Sequence, residues 1–423
     1  MYVPSDIMPG KMPRPRAALL AAATLLFLAA LPANAAAPES APVSAADAGA
    51  LARAARDSAV ETLPGGFAVL IPERFAAPQP VREKRYGFTF ARAIAVYAPV
   101  GGGTGGRRLA LRATVHHDPD QRDLSVRTAR LIARLLRLHA ERFGRDAVFP
   151  RGEPVSRLYV CPTTPPGGAG AEGILFGGET RGHEVYLYGA GTERTPLEWT
   201  RTVIHEWGHA TLPAARGYSE PESDASGYLG ERLYFKWLFE EATSRVAKSA
   251  SAGPRPDDGT GLPDLELYHR RQVAPLIARF DRLGPSAPGW GGVTAPAMDL
   301  YIGAALAFDD TYGSALLGDA LFGIEDIRPR DLLRAMEEAL ARRPGPVPVR
   351  LPAWVPLSPG RYRVAAQNGG TGRVQIPNVA TLSLDRNGTG VRVRNSGWRR
   401  ITKRSGAVSG IYLRRERAGD VGR

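Results

Sequence analysis

Pro196-Leu-Glu-Trp-Thr-Arg-Thr-Val-Ile-His-Glu-Trp-Gly-His-Ala-Thr-Leu-Pro213 is the stretch on which the reading of this chain turns. It contains His205-Glu206-Trp207-Gly208-His209, an H-E-x-x-H motif. On a helix, where successive residues turn by about 100°, the two histidines fall about 40° apart and one turn along the axis. Two imidazoles so placed can grip one ion, and the Glu206 carboxylate lies within reach of a water bound to it. Trp199, Val203, Ile204, Trp207 and Ala210 form an apolar stripe at helical spacing, which gives the helix a core face and leaves the histidine face for a cleft. Pro196 suits the first turn and Pro213 ends the helix.

The flanking sequence gives this helix a setting. Residues 67–72, 86–97 and 109–117 alternate or bunch apolar side chains between Gly and Pro, and read as strands. The glycine cluster at 101–106 is a hairpin-type loop, since no helix opening with Lys-Ser or Lys-Thr follows to make a phosphate cradle. Val126, Leu131, Ile132, Leu135, Leu136 and Leu138 repeat at helical spacing and predict an amphipathic helix over 124–143, directly before a strand around Tyr159. Apolar stretches at 174–176 and 185–188, separated by polar residues and Gly182, predict a strand pair feeding the motif helix. An edge strand beside that helix can bind an extended peptide by sheet addition.

Downstream, residues 217–224 read as a turn-rich loop, and a helix is predicted over 225–248 with Ser223 or Asp224 as its N-cap. Further helices are expected over 265–283, 296–308, 314–322 and 329–342. Residues 350–415 change character to short alternating runs between Gly-Gly, Asn-Gly and Ser-Gly turns, which predicts a small all-β module. The fold class is therefore α+β.

Lys11, Arg14 and Arg16 precede an apolar run over 17–31, followed by Pro32-Ala33-Asn34-Ala35. This reads as a secretory signal peptide cleaved after Ala35, the run being short for a membrane span. Export follows, with no transmembrane span after cleavage. The expected organisation is a signal peptide at 1–35, a linker and β-rich region at 36–120, a catalytic domain at 121–345 and a basic β-rich module at 346–423.

With 43% hydrophobic residues the chain can build real cores. It must rely on them, because Cys161 is its only cysteine and no internal disulfide can form. Cys161 is expected in a strand, without a catalytic role, since nothing nearby marks an activating base. Charge is concentrated at one end. Residues 346–423 hold 15 Lys and Arg against Asp385, Glu416 and Asp420, a net +12 of the chain's +13. There, Arg392, Arg394, Arg399, Arg400, Lys403, Arg404, Arg414, Arg415 and Arg417, interleaved with Trp398 and Tyr412, suit an anionic polymer of the cell envelope, an acidic wall glycan or lipid headgroups. Nucleic acid fits the charge but not the export signal.

A catalytic zinc takes three protein ligands and keeps one position for water, so a third ligand is needed beyond His205 and His209. The motif runs on into Ala210-Thr-Leu-Pro213 rather than to a Gly and a third His, which points to a carboxylate. Glu231, 22 residues after His209, lies on the next predicted helix, where Gly227 and Gly230 would allow a close approach to the first. Glu222, Glu220, Glu240 and Glu241 are the alternatives. This arrangement resembles the gluzincin branch of the zincin metallopeptidases, over about residues 121–245 and on His205, Glu206, His209 and Glu231. The resemblance implies a mixed sheet over the active-site helix, a helical second half and peptide hydrolysis between them. Thermolysin-like members carry an aspartate four residues after the ligand glutamate, where this chain has Phe235, so support for a ligand histidine is expected from Asp224 or Glu222.

The expected function is thus that of a secreted zinc metallopeptidase acting on peptide or protein substrates, with Zn2+ on His205, His209 and Glu231 and with Glu206 as general base. Candidate donors to the tetrahedral oxyanion are Tyr218, Tyr228, Tyr234, His269, Tyr301 and Tyr312. His116, His117, His139 and His183 lack ligand spacing. Two other classes stay open: a catalytically inactive zincin scaffold serving envelope binding or adhesion, which intact Glu206 argues against, and a zinc hydrolase of a non-peptide amide or ester.

Overall fold

In the computed structural model, strands Phe67–Pro72 and Arg108–His117 form where the apolar alternation places them, each with one face to bury, whereas the stretch expected as one strand over 86–97 is divided between Thr89–Phe90, which pairs with Val81–Arg82, and Arg92–Val100. The structure describes residues 58–63, 66–72, 81–83, 85–100, 108–163, 177–190, 195–248, 257–324, 328–343, 345–385 and 387–416. The signal segment, the 101–106 loop and the apolar stretch 174–176 lie outside the described residues, as do Arg417 and all but three residues of the region 36–60. Strands are numbered β1 (Ser58–Leu63), β2 (Phe67–Pro72), β3 (Val81–Arg82), β4 (Thr89–Phe90), β5 (Arg92–Val100), β6 (Arg108–His117), β7 (Ser156–Val160), β8 (Gly178–Arg181) and β9 (Glu184–Leu187).

Seven of these form one mixed sheet in the order β1-β2-β5-β6-β7-β9-β8. The pairs β6–β7 and β7–β9 are parallel and the remainder antiparallel. A parallel neighbour needs a long crossover, and helix α1 (Arg122–Phe143) supplies it between β6 and β7. The boundary expected between residues 120 and 121 therefore falls inside a single sheet, where β6 pairs directly with β7. Leu158, Val160, Val185 and Leu187 face the main core, while Tyr159, Cys161, Tyr186 and Tyr188 turn to a second apolar cluster with Phe90 on the far face. Cys161 lies one residue past the end of β7, and its backbone N–H still bonds to Leu187 O at 2.8 Å. The β8–β9 hairpin turns at Gly182, in the left-handed region with φ 65°. The second expected strand is therefore present as β9, and its partner is the polar segment Gly178–Arg181, read from sequence as the separator, while the expected first strand at 174–176 lies outside the described residues.

Helix α2 (Pro196–Thr211) carries the motif. Thr195 and Glu198 close a capping box over its first turn, and Pro213 stops it two residues beyond Thr211. Its stripe of Trp199, Val203, Ile204, Trp207 and Ala210 is buried as expected. Helix α3 (Ser226–Lys248) follows, with Leu229, Leu233, Tyr234, Phe235, Trp237 and Leu238 all buried, so it runs through the interior. The helical half continues as α4 (Leu262–Tyr268), a π turn at His269–Val273, α5 (Ala274–Leu283), α6 (Ala295–Tyr312), α7 (Ser314–Leu321) and α8 (Pro329–Arg342). The single helix expected over 265–283 runs on without a break from Leu262 to Leu283, with the π turn inserted ahead of Pro275, which has no N–H for the regular ladder.

From Val347 to Glu416 the described residues form β-strands joined by turns, with one short 3-10 turn at Gln367–Gly369. Strands β10 (Val347–Arg350), β17 (Gly410–Arg415), β12 (Gly360–Ala366) and β15 (Thr389–Val393) form one antiparallel sheet in that order, and β11 (Ala353–Leu357), β16 (Gly397–Gly406), β13 (Gly372–Ile376) and β14 (Ala380–Leu384) form another. These strands dock on the helices. The Trp398 ring stacks on Phe308 at 5.4 Å, Tyr312 OH donates to Trp354 O at 2.6 Å, and Trp354 Nε1 donates to Asp281 O at 3.0 Å. No described helix is long and apolar enough to cross a membrane.

Helices α2 and α3 cross where neither has a side chain. A methyl group built on Gly208 would lie 2.7 Å from Ser226 O and 3.0 Å from Gly230 Cα, and one built on Gly230 would fall onto Gly208 Cα. Because the obstruction is backbone, no side chain can move aside. Gly230→Ala is expected to destabilise the protein by about 1–3 kcal/mol, read from chemical denaturation; unchanged stability would show that the two helices are free to separate.

Candidate metal centre

The α2–α3 crossing determines what lies around the motif. On α2, His205 and Glu206 are buried, and the way in from solvent is beside His209 and Glu222, whose side chains are 18% and 23% exposed. The histidine face is thus more enclosed than the open cleft expected of it, because α3, the 212–225 loop and β8 all close on it. That loop is tied at its base: Ala225 N–H donates to Ala215 O at 2.9 Å, and Asp224 Oδ1 accepts from Ala215 N and Ser226 N, each at 2.9 Å. Ser219 anchors its outer part, donating from its backbone N to Val293 O at 2.6 Å.

Closed in this way, the loop delivers Glu222 to the histidines. Glu222 Oε2 is 3.2 Å from His205 Nε2 and 3.4 Å from His209 Nε2. Ligand atoms bound tetrahedrally to zinc at 2.0–2.1 Å stand roughly 3.3 Å apart, so these separations suit one shared ion. Space for an ion is also present. A methyl group built on Gly227 would sit 2.6 Å from His205 Nε2 and closer still to His209 Nε2. The missing side chain of Gly227 leaves room between the two nitrogens.

The Nδ1 nitrogens face partners of different strength: His209 Nδ1 meets Ser226 Oγ at 2.9 Å, whereas His205 Nδ1 has Glu231 Oε2 at ion-pair distance, 3.5 Å, without hydrogen-bond geometry. Partners at Nδ1 orient both rings with Nε2 toward Glu222.

Glu231 does not join His205 Nε2, His209 Nε2 and Glu222. Fully buried, it is 2.9 Å from Arg201 Nε and 3.0 Å from Arg232 Nη1, and it accepts from Tyr268 OH at 2.5 Å. Its burial would favour the neutral acid, but the Arg232 charge, His205 and Arg201 hold its carboxyl well below the usual range. The spacing points to Glu231 as the third ligand; in the structure Glu231 lies on the Nδ1 side of His205, and Glu222 stands on the Nε2 side with both histidines. Glu220 is exposed on the loop, Glu240 pairs with Lys236 and Arg142, and Glu241 pairs with Arg134, Arg137 and Arg245.

Burial also acts on Glu222 and His205, and there their mutual hydrogen bonds prevail. Glu222 is lowered to about 2 despite burial, because His205 and His209 donate to it, and His205 is raised to about 9 against its own burial by Glu222 and Glu231. Protons and a cation compete for the same atoms. Glu206 differs, since burial dominates and raises its pKa. Its carboxylate accepts from Thr180 Oγ1 at 2.7 Å, and a methyl group on Gly178 would come within 2.7 Å of its Oε1, so β8 lies directly against it.

Of the oxyanion donors considered, Tyr228 touches the centre, its ring edge-on to His205 at 4.9 Å. Tyr234 bonds to His139 and Thr211, Tyr312 donates to Trp354, His269 stacks on Phe239, and Tyr218 and Tyr301 are buried in the core. Phe235 stacks on Tyr268 at 3.9 Å and so backs the Tyr268–Glu231 hydrogen bond. Among the described residues a second acidic group, Glu240, Asp309 and Asp310, borders a cavity of about 520 Å³, but the Lys236 ammonium lies 2.5–2.8 Å from all three and occupies the place of a cation. Sequence reasoning missed Ser226, for which no spacing rule exists, and Thr180 and Gly178, which only the strand register brings to Glu206.

No protein-family model matches this chain, and no curated protein matches its sequence.

Filling the space beside Gly227 tests the cradle directly. Gly227→Ala is expected to reduce zinc affinity by more than about tenfold, measured by competition with a chromophoric chelator, since the added methyl would stand between the two Nε2 atoms. Undiminished binding would place the ion elsewhere.

Proposed function

We propose that the chain is an exported zinc metallopeptidase with His205, His209 and Glu222 as ligands, Glu206 as general base and Glu231 as the carboxylate that orients His205. The observation that carries this reading is the convergence of His205 Nε2, His209 Nε2 and Glu222 Oε2 around the space left by Gly227, beside a buried Glu206. Two imidazoles and one carboxylate are a donor set of the hydrolytic zinc type, and a zinc bound there would supply a Lewis acid that makes water acidic and polarises a carbonyl.

The chain's own residues account for the rest of the chemistry. Glu206, whose pKa burial raises, is the group that would take a proton from the attacking water and pass it to the leaving amine. Thr180 holds the carboxylate in place during that transfer. Strand β8 ends the sheet order among the described residues and lies against Glu206, so an extended peptide pairing with it would run past the base. A mixed sheet against the motif helix, with helices following, supports the zincin-like reading, and the basic segment Lys11 to Arg16 with its apolar run supports export.

The test is zinc content and hydrolysis of a broad peptide library by the purified chain and three variants. Wild type is expected to carry about one zinc and to cleave; Glu206→Gln to keep its zinc while losing roughly 10²–10⁴-fold in rate. Glu222→Ala is expected to lose the metal, whereas Glu231→Gln keeps it with roughly 10–100-fold weaker affinity. A wild-type protein without zinc, or a fully active Glu206→Gln, would overturn the proposal. Zinc without any peptide cleavage would transfer it to a non-peptide amide or ester.

A further inference from the structure

The sheet β10-β17-β12-β15 sets arginine against arginine on its outer face. Val349, Tyr362, Val364, Val393, Ile411 and Leu413 point inward and are buried, so the intervening residues point out. The register puts Arg361 opposite Arg392 and Arg363 opposite Arg414, with Arg350 on β10 sharing the face. All five are exposed, as is Tyr412 at 42%. Among the described residues Glu416 meets the group, 3.3 Å from Arg363 Nε. Like charges directly opposite on a sheet oppose folding, and arginine cannot relieve them by losing its proton. An outward position on a strand accepts many polar residues, so core packing does not require this choice.

We propose that this face binds a linear acidic polysaccharide, a polymer of uronate sugars. Guanidinium forks pair with carboxylates through two parallel hydrogen bonds. Neighbouring strands lie about 4.8 Å apart and alternate residues about 6.7 Å apart, so Arg414, Arg363, Arg361 and Arg392 form a band of closely stepped charges across three strands. Tyr412 adds a flat apolar surface beside the band, suited to the face of a sugar ring. A bilayer surface would call for several apolar side chains ready to insert, and Tyr412 is the one large exposed hydrophobic on this face among the described residues. Single-stranded nucleic acid would call for successive aromatic platforms.

The experiment measures binding of the whole chain to sodium polygalacturonate by titration calorimetry at about 50 mM and about 500 mM salt. Two double variants, Arg361→Gln with Arg392→Gln and Arg363→Gln with Arg414→Gln, are compared with a control that removes the same charge from the other sheet, Arg373→Gln with Arg404→Gln. The result expected is salt-sensitive binding, weakened roughly tenfold or more in each ladder variant and by less than about threefold in the control. Tyr412→Ala is expected to weaken it as well. Equal losses in ladder and control variants, absence of binding at low salt, or equal or tighter binding of single-stranded DNA or of phosphatidylglycerol vesicles would each overturn the proposal. Peptide hydrolysis is not read, so the outcome is independent of the metal centre.

Discussion

Backbone contact between α2 and α3 is the constraint on which the candidate centre depends. Gly208 and Gly230 bring the two helices together without an intervening side chain, and Gly227, one turn earlier on α3, then faces the two histidines. A wider crossing would carry Ser226 away from His209 and Glu231 away from His205, leaving both rings free to turn. The closeness that packs the core therefore also fixes the two imidazoles, and the same three glycines do both.

Around this crossing, charge is distributed by burial. Glu231 is kept ionised in the interior by two arginines and a tyrosine, an arrangement in which removing one partner costs more than the pair contributes. Such a carboxylate is committed to its neighbours and can hold His205 but not move. Glu222, on a tied loop and partly exposed, has His205 and His209 as its partners and remains available to a cation. Glu206, against β8 and held by Thr180, is the third carboxylate, and burial raises its pKa. Three acids close to one histidine thus acquire three roles from their surroundings.

Much of this was legible in the sequence. The helix, its apolar stripe, its proline boundaries and the placement of His205, Glu206 and His209 follow from periodicity, because one helix obeys one local rule. The close approach of the next helix was visible in Gly227 and Gly230. The choice between Glu231 and Glu222 was not, since it depends on how the 212–225 loop closes through Asp224 and Ala215, and no periodicity describes a loop tied by a side chain. The π turn ahead of Pro275 was hidden for a related reason, as helical spacing continues across it. In the carboxy-terminal strands, alternation announced a β structure and composition announced its charge, but only the pairing register shows which arginines oppose one another.

The most direct measurement is anomalous diffraction at the zinc edge from crystals of the zinc-loaded protein. The account predicts one ion bonded to His205 Nε2, His209 Nε2 and a Glu222 oxygen at about 2.0–2.2 Å, with Glu231 outside the coordination sphere and still paired with Arg201 and Arg232. An ion that takes Glu231 in place of Glu222, or one bound away from the two histidines, would contradict it.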